Sequence, residues 1–332
     1  MNSIQAEPNT HAAELRPPQT SKWLHAYAAF VAGCTAILVF AGGLVTSTGS
    51  ALSVPDWPLS YGMVMPPMVG NVRFEHGHRM IAATVGLLTI VLALWLQRSA
   101  ASRTVRRLGW LATVAVVLQG TLGGLTVLLL LPTGISVAHA CLGQTFFCIV
   151  VGIAVLTSPG WRRLQSTTHA DTALRSRAAL LTVIIYVQLL VGAYMRHTGA
   201  GLAIPDFPLA FGNVIPPFES GGVAVHFTHR VVGSLVAIWA LFTAVHALRR
   251  HRERPQLWQP ALAVAVLALA QVALGGITVW TQKSVLPTTF HVLNGALILA
   301  TSLVLTLRSH RVLKPHESRV PVQALGEPQV VA

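Results

Sequence analysis

Four histidines, two in each half of the chain, have the type and spacing of paired metal ligands. His78 and His229 are 151 residues apart, and His139 and His291 are 152 residues apart. Each lies near one end of a different apolar stretch, so the two histidines of each half can face each other across a helical bundle. Two neutral imidazoles so placed can bind haem iron from both sides of an apolar slot. A zinc site would usually need a third or fourth ligand.

The alternative for each histidine is a structural role, in which it caps a helix or hydrogen-bonds a loop carbonyl. For an isolated histidine we favour that role. Two pairs in register reverse the preference, because ionisable groups at membrane depth are costly and usually functional. The sequence therefore predicts that the four histidines bind haem iron or another metal.

Arg79 and Arg230 directly follow His78 and His229, so the dipeptide His-Arg occurs twice. A guanidinium group beside a haem can bind the propionates in a bidentate manner. The alternative is an interfacial arginine whose charged end reaches water. We predict the propionate contact for both arginines.

The two halves differ three residues before His78 and its counterpart, where Glu75 stands in one half and His226 in the other. Residues three apart share a helix face, so Glu75 is expected beside whatever His78 binds. A carboxylate there can act as a base or stabilise positive charge at a reacting carbon. Its structural alternative is a favourable charge in the first helical turn. His226 is either a spare ligand or a propionate partner, and the sequence leaves this open.

An internal duplication relates the two halves. Residues 51–67 (ALSVPDWPLSYGMVMPP) and 201–217 (GLAIPDFPLAFGNVIPP) align with nine of seventeen residues identical. Further along, 119–127 (QGTLGGLTV) matches 271–279 (QVALGGITV). The sequence thus predicts two units of the same architecture.

Within the second pair of segments, Gln119 and Gln271 lie in apolar helices and need hydrogen-bond partners. We favour a bond to a neighbouring helix over a haem contact. The glycine pairs 123–124 and 275–276 allow close approach of either a helix or a porphyrin.

The composition is that of a membrane protein. Of 332 residues, 53% are hydrophobic and 10% are charged, whereas an average soluble protein has about 25% charged residues. Three cysteines exclude a disulfide scaffold. A membrane-spanning helix needs about 20 mostly apolar residues, and eight stretches qualify: 24–46, 77–97, 108–130, 135–157, 178–196, 227–248, 258–280 and 286–307.

The predicted fold is an all-α integral membrane protein whose eight transmembrane helices form two four-helix bundles related by a parallel internal repeat. The repeat is parallel because each unit has an even number of spans. The Pro-rich segments 47–75 and 197–225 cannot be regular helix and are expected to cap the bundles. The predicted domains are a tail (1–22), an N-terminal unit (23–157), a linker (158–177), a C-terminal unit (178–308) and a second tail (309–332).

The formal net charge of +13 indicates how the chain is oriented in the membrane. Eighteen of the 23 Lys and Arg lie in the tails and on the loops that share their side of the membrane, and five lie on the other side: Arg73, Arg79, Arg196, Arg230 and Lys283. Positive residues mark the cytoplasmic side, so both termini are predicted to be cytoplasmic in a multi-pass inner-membrane protein. No nucleic-acid partner is needed to explain the charge. Histidines without a repeat partner, such as His246 and His251, are expected at the cytoplasmic surface.

At this point the residues resemble a known family, the haem A synthases. The resemblance covers about residues 24–307 and rests on Glu75-His76-Gly77-His78-Arg79, on the Pro-Asp-Trp-Pro segment at 55–58, on the helix from Gln119 to Thr126 followed by His139, and on their second copies. Some relatives carry a cysteine pair in the first outer segment, but residues 47–75 contain no cysteine. A redox role for such a pair is therefore excluded here.

The resemblance implies an enzyme that oxidises the C8 methyl of haem O to the formyl of haem A by successive hydroxylations with water-derived oxygen. It implies that His78 and His139 hold substrate haem O, with Glu75 catalytic. His229 and His291 then hold a haem b cofactor, through which electrons leave. Haem O synthase and oxidase assembly factors are the implied partners besides membrane lipid, and the oligomeric state, a homo-oligomer included, is left open.

Two rival functions use the same residues. A di-haem membrane cytochrome that only transfers electrons explains the histidine pairs and the arginines, but not why Glu75 occurs in one unit only. A transporter built from parallel repeats would need an ionisable or broken-helix site near the bilayer midplane. The candidate residues cluster at one end of the helices, so we rank the transporter last.

Overall fold

The computed structural model describes residues 21–166 and 170–314, and in these ranges the protein is helical. Its elements are α1 (Lys22–Ser47), α2 (Val72–Arg98), α3 (Arg103–Leu128), α4 (Thr133–Thr157), the short α5 (Pro159–Arg163), α6 (Thr172–His197), α7 (Gly221–Arg250), α8 (Pro255–Trp280) and α9 (Val285–Val312), with a 3-10 turn at Ala200–Leu202. Most of the two predicted tails, and part of the predicted linker, lie outside the described residues.

Eight of these helices are long and apolar enough to cross a membrane, which confirms the predicted number of spans among the described residues. The helices extend several residues beyond the apolar stretches because polar residues at their ends are still helical. Ser21, Ser102, Asp171 and Ser220 accept hydrogen bonds from backbone N–H groups of the first turn and so define where α1, α3, α6 and α7 begin.

The helices form two rings of four. In the first ring α1 packs on α2 and α4, and α3 closes the ring between them; α6, α7, α8 and α9 make the second ring in the same order. Each ring has its own apolar core, one centred on Leu92 and Phe146 and the other on Leu181 and Leu257.

The two rings share an interface formed by α1, α4, α6 and α9. Ala296 and Ala300 of α9 belong to the core of the first ring, and Cys148 of α4 packs against the core of the second. The rings are therefore one packed body, in which α1 and α9 are central. That the rings arose by duplication stays a prediction from the sequence.

Candidate functional site

The four histidines lie on α2, α4, α7 and α9, toward the same end of each ring, which we call the histidine end. His78, His139 and His291 are each the seventh residue of their helix, and His229 is the ninth of α7. They therefore lie in the second or third turn of their helices, deeper than the ends of the apolar stretches indicate. Hydropathy places each helix start too late, because first-turn residues such as Arg73 and Glu75 are charged.

His229 and His291 face each other, with their ring centroids 6.3 Å apart. That separation suits one metal between two imidazoles, since a metal–nitrogen bond is about 2 Å long. In the described part of the chain, Nδ1 of His291 is buried without a hydrogen-bond partner, and so are Nδ1 of His78 and of His139. Buried polar atoms are normally paired, so these rings fit a group bound between them.

The ring of each of these four histidines packs against a glycine on the preceding helix. A methyl group at Gly42, Gly123, Gly192 or Gly275 would lie 3.1, 3.1, 2.8 or 3.3 Å from Cε1 of His78, His139, His229 or His291, respectively. The first glycine of each predicted pair therefore makes room for a histidine ring of the next helix.

The second glycine of each pair receives an aromatic side chain from the outer segment. A methyl group at Gly124 would lie 2.5 Å from the ring of Trp57, and one at Gly276 would lie 2.8 Å from the ring of Phe207. The Pro-rich segments thus dock on the histidine end through one aromatic residue each, in agreement with their expected capping role.

Glutamine amides hold three of the four histidine helices in place. Gln119 Nε2 donates to the carbonyl of His139 and Gln271 Nε2 to that of His291, each over 2.9 Å, which confirms the preference for helix-to-helix bonding. Gln188 makes the same bond to His229 over 2.8 Å. Gln188 was not predicted from the sequence. Like Gln119 and Gln271, however, it lies four residues before a glycine that packs against a histidine ring, and this spacing is a signal that could have found it.

Glu75 is 3% exposed and is engaged by two donors. Its Oε2 accepts the backbone N–H of Val54 over 2.9 Å, and its Oε1 accepts Nη2 of Arg79 over 2.6 Å. Each carboxylate oxygen can accept two hydrogen bonds, so both oxygens retain capacity for a further donor. The carboxylate is fixed in place one turn before His78.

His226 occupies the equivalent position in the second ring and is also 3% exposed. Its Nδ1 accepts the N–H of Ile204 over 3.2 Å, and its Nε2 lies 3.2 Å from Nε of Arg230. These contacts match those of Glu75 with Val54 and Arg79. Both nitrogens of His226 therefore face the outer segment and its arginine, and its role as a spare ligand or a propionate partner stays open.

Arg79 and Arg230 bind backbone carbonyls of the outer segments. Arg79 donates to the carbonyls of Val54, Asp56 and Leu59, and Arg230 donates to those of Ile204 and Leu209. Both arginines thus hold an outer segment against the helix that carries the histidine. A propionate contact by either arginine stays a prediction, and the structure adds this second role.

The turn in each outer segment is closed by an aspartate. Asp56 accepts the N–H groups of Tyr61 and Gly62, and Asp206 accepts those of Phe211 and Gly212, all within 2.8 Å. The bonds from Gly62 and Gly212 are the main reason that the pKa of each carboxyl is lowered below its ordinary value. Both segments therefore present the same rigid shape to the helices below.

A second polar cluster lies at the opposite end of the second ring. Asp171 Oδ2 is 2.7 Å from Nε2 of His246 and 2.8 Å from Nε2 of His251. These histidines, expected at the surface, are partly exposed, and they share one carboxylate that lies 75 and 80 residues away in the sequence.

Comparison with known proteins supplies the context for this geometry. Residues 68–303 match the family model COX15-CtaA, described as cytochrome oxidase assembly protein. A protein named "Heme A synthase" from Symbiobacterium thermophilum is 32% identical over 73% of this chain and 82% of its own. Proteins of the same name from Alkalihalophilus pseudofirmus and Halalkalibacterium halodurans are 27% and 29% identical, over 82% and 80% of this chain and 94% and 90% of their own.

Proposed function

Because the chain belongs to the COX15-CtaA family of cytochrome oxidase assembly proteins, we propose that it is a haem A synthase that oxidises the C8 methyl of haem O to a formyl group. Relatives named for that activity support the proposal. The observation that carries it is one chemical difference at equivalent positions of the two rings. Glu75 and His226 make equivalent contacts, but only Glu75 is a carboxylate.

We assign substrate haem O to the first ring, between His78 and His139, and a haem b cofactor to the second, between His229 and His291. The 6.3 Å separation of the second pair supports ligation there. The iron of these groups supplies the redox chemistry. The protein holds the ligand rings against glycines, which fixes the direction from which each nitrogen approaches.

Glu75 is the proposed catalytic residue. The methyl carbon becomes electron-poor as electrons are removed, and a carboxylate beside it stabilises that charge. Oxidation with water as the oxygen source also releases protons, and Oε1 or Oε2 of Glu75 can accept one. Arg79 and the N–H of Val54 keep the carboxylate from rotating away.

The outer segment above the first ring has a supporting role in this proposal. It presents the N–H of Val54 to Glu75 and packs Trp57 onto α3 beside the glycine that faces His139. Successive hydroxylations need a site that retains partly oxidised substrate, and a docked cover favours retention. A haem b held by His229 and His291 in the second ring would take up the electrons.

We further propose that the protein lies in the cytoplasmic membrane with both termini in the cytoplasm, as the distribution of Lys and Arg predicts. The histidine end then faces outward. Haem O synthase and oxidase assembly factors remain proposed partners.

The test compares wild type with Glu75→Gln in cells that make haem O, by extraction and mass analysis of the copurified haems. Wild type is expected to yield haem b with haem A or its hydroxylated precursor. The variant is expected to yield haem b with unreacted haem O. Only haem b in both proteins would favour the electron-transfer cytochrome, and absence of haem would contradict the assignment of the histidines.

The chain offers its own control in Glu75→His, which copies the residue of the second ring. A histidine there can accept the N–H of Val54 with one ring nitrogen, as His226 accepts that of Ile204, while it removes the carboxylate. We expect this variant to retain both haems and the wild-type thermal stability, and to lose conversion. Conversion by Glu75→His would contradict the catalytic role.

A further inference from the structure

Three of the four histidines share a contact that we call the amide clamp. A glutamine lies four residues before the glycine that faces the ring, and its Nε2 donates to the backbone carbonyl of the histidine. The clamps are Gln119 on His139, Gln188 on His229 and Gln271 on His291, with distances of 2.9, 2.8 and 2.9 Å. Each joins a histidine helix to the helix that precedes it.

The clamp also needs a glycine four residues after the histidine. A methyl group at Gly143, Gly233 or Gly295 would lie only 3.1, 3.0 or 3.3 Å from the glutamine Nε2. Two facing patterns therefore define the clamp, Gln-x-x-x-Gly on one helix and His-x-x-x-Gly on the next. A side chain larger than glycine would push the amide away from the histidine carbonyl.

His78 is the exception. Four residues before Gly42, α1 has Leu38 in place of the glutamine. Four residues after His78, α2 has Ala82 in place of the second glycine. Only Gly42, which faces the ring, is retained. Both partners of the clamp are thus changed together, and no hydrogen bond from a glutamine to His78 occurs among the described residues.

From this we infer that His78 is the ligand that dissociates from the haem iron, so that the first ring exchanges its haem while the second retains its own. The inference rests on the proposed function and deepens it. A haem with two axial histidines cannot leave until one iron–nitrogen bond breaks. The bond breaks with its electron pair kept on the nitrogen, so no redox partner is required.

The effect of the clamp on the movement of the imidazole explains why the unclamped histidine releases first. An amide donor on the histidine carbonyl ties that segment of helix to its neighbour, so the ring cannot move without breaking the bond. His139 shares the first ring with His78 but has its clamp. The substrate site therefore combines one fixed ligand with one releasable ligand, on the helix that also carries Glu75.

The experiment exchanges the clamps between the rings. Leu38→Gln with Ala82→Gly installs the clamp on His78, and Gln188→Leu with Gly233→Ala removes it from His229. Ala82→Gly alone is the matched control. Each full-length protein is purified with the haems it binds in cells that make haem O and is then reduced. Carbon monoxide binding is followed by stopped flow, and haem loss by transfer to apomyoglobin.

We expect two phases in wild type, a fast one from the first ring and a slow one from the second. Installing the clamp should slow the fast phase about tenfold, the effect of roughly one hydrogen bond, at unchanged haem content. Removing the clamp from His229 should create a second fast phase. Ala82→Gly alone should behave as wild type.

Equal rates for both haems in wild type would overturn the inference, and so would a fast phase that survives the installed clamp. If the variant with the installed clamp fails to bind haem, the variant Gln188→Leu with Gly233→Ala tests the inference instead. An unchanged slow phase in that variant would also overturn the inference. Wild-type protein without haem contradicts the proposed function, and the inference with it. Two unequal haems without any conversion contradict the proposed function alone.

Discussion

At four places in this protein a glycine makes room for the ring of a histidine on the next helix. A helical glycine normally costs about 1 kcal/mol relative to alanine. That cost is offset where a side chain would collide with a neighbour, and it is not offset where the space is open. Gly123 and Gly120 on α3 separate these two situations. A methyl group at Gly123 would lie 3.1 Å from His139, whereas at Gly120 nothing lies within 4 Å.

The first prediction compares Gly123→Ala with Gly120→Ala. Gly120→Ala should raise thermal stability slightly, by about 0.5 to 1 kcal/mol, and leave the absorption spectrum of bound haem unchanged. Gly123→Ala should displace the His139 ring and reduce haem in the first ring without affecting the second. Haem content and the low-spin absorption bands measure the effect. Equal spectra for the two variants would contradict the role of Gly123.

Most of the residues found from the sequence occur in both copies of the predicted repeat, whereas the residues missed occur in one copy only. The four histidines and both arginines stand in register, and Glu75 attracts attention because its counterpart differs. Gln188 has Leu38 as its counterpart, so comparing the halves gives no match. Asp171 meets His246 and His251 only through packing of α6 on α7, which no local pattern encodes.

The outer segment is the element that joins the two functions of the histidine end, covering it and fixing Glu75. Its docking depends on close contact between Trp57 and Gly124, which leaves no space for a methyl group. Trp57 is 41% exposed, so the contact secures position more than it buries area.

The second prediction is that Gly124→Ala loosens the first outer segment. The variant should expose residues 48–71 to limited proteolysis and lower conversion, because the N–H of Val54 no longer holds Glu75. Adding Trp57→Ala removes the colliding ring and should restore part of the protection. Proteolysis that is the same in Gly124→Ala and wild type would contradict the docking role.

At the opposite end of the second ring, one carboxylate connects the start of α6 with the end of α7. Burial raises the pKa of Asp171, but the bonds to His246, to the N–H of Leu174 and to His251 outweigh it and hold the pKa well below its ordinary value. Nη1 of Arg177 faces Nδ1 of His246 at 2.6 Å. An arginine can only donate a hydrogen bond, so Nδ1 of His246 accepts and Nε2 carries the hydrogen toward Asp171. A nitrogen that carries a hydrogen cannot bind a metal, so this arrangement favours hydrogen bonds among the three side chains over a metal site.

The third prediction is that Asp171→Asn destabilises the protein by about 1 to 2 kcal/mol at pH 7, since asparagine keeps the N-cap but loses the charge. A lowered folded pKa gives stability that is present above the ordinary value of about 3.9 and is lost as the pH falls below it. The difference from wild type should therefore shrink between pH 5 and pH 3, in unfolding measured in detergent.

Two results would contradict this prediction. One is a difference that does not change with pH. The other is a loss of stability when wild type is treated with a metal chelator, which would mean that the three side chains hold a metal after all.

At the scale of the whole molecule, hydropathy predicted how many helices there are but not which faces meet between the rings. A helix facing lipid and a helix facing another helix are equally apolar, so the central position of α1 and α9 leaves no trace in the pattern. Polar residues on these helices do mark part of that interface, and Arg196 is the charged one among those described here. Arg196 of α6 donates to the carbonyl of Gly43 over 3.2 Å and to Oγ of Ser47 over 3.0 Å, both on α1.

Arg196 leads to the fourth prediction, because its charge lies at the interface between the rings, where α6 of the second ring meets α1. No carboxylate lies within ion-pair distance of it in the described part of the chain. A cation beside a haem favours the reduced, less positive iron, so Arg196 should raise the potential of the second ring and draw electrons from the first. Arg196→Met should lower that potential by on the order of tens of millivolts in a spectroelectrochemical titration. Arg175→Met, at the other end of the same helix, is the control, and an equal shift in both variants would show that the charge at the interface does not direct the electrons.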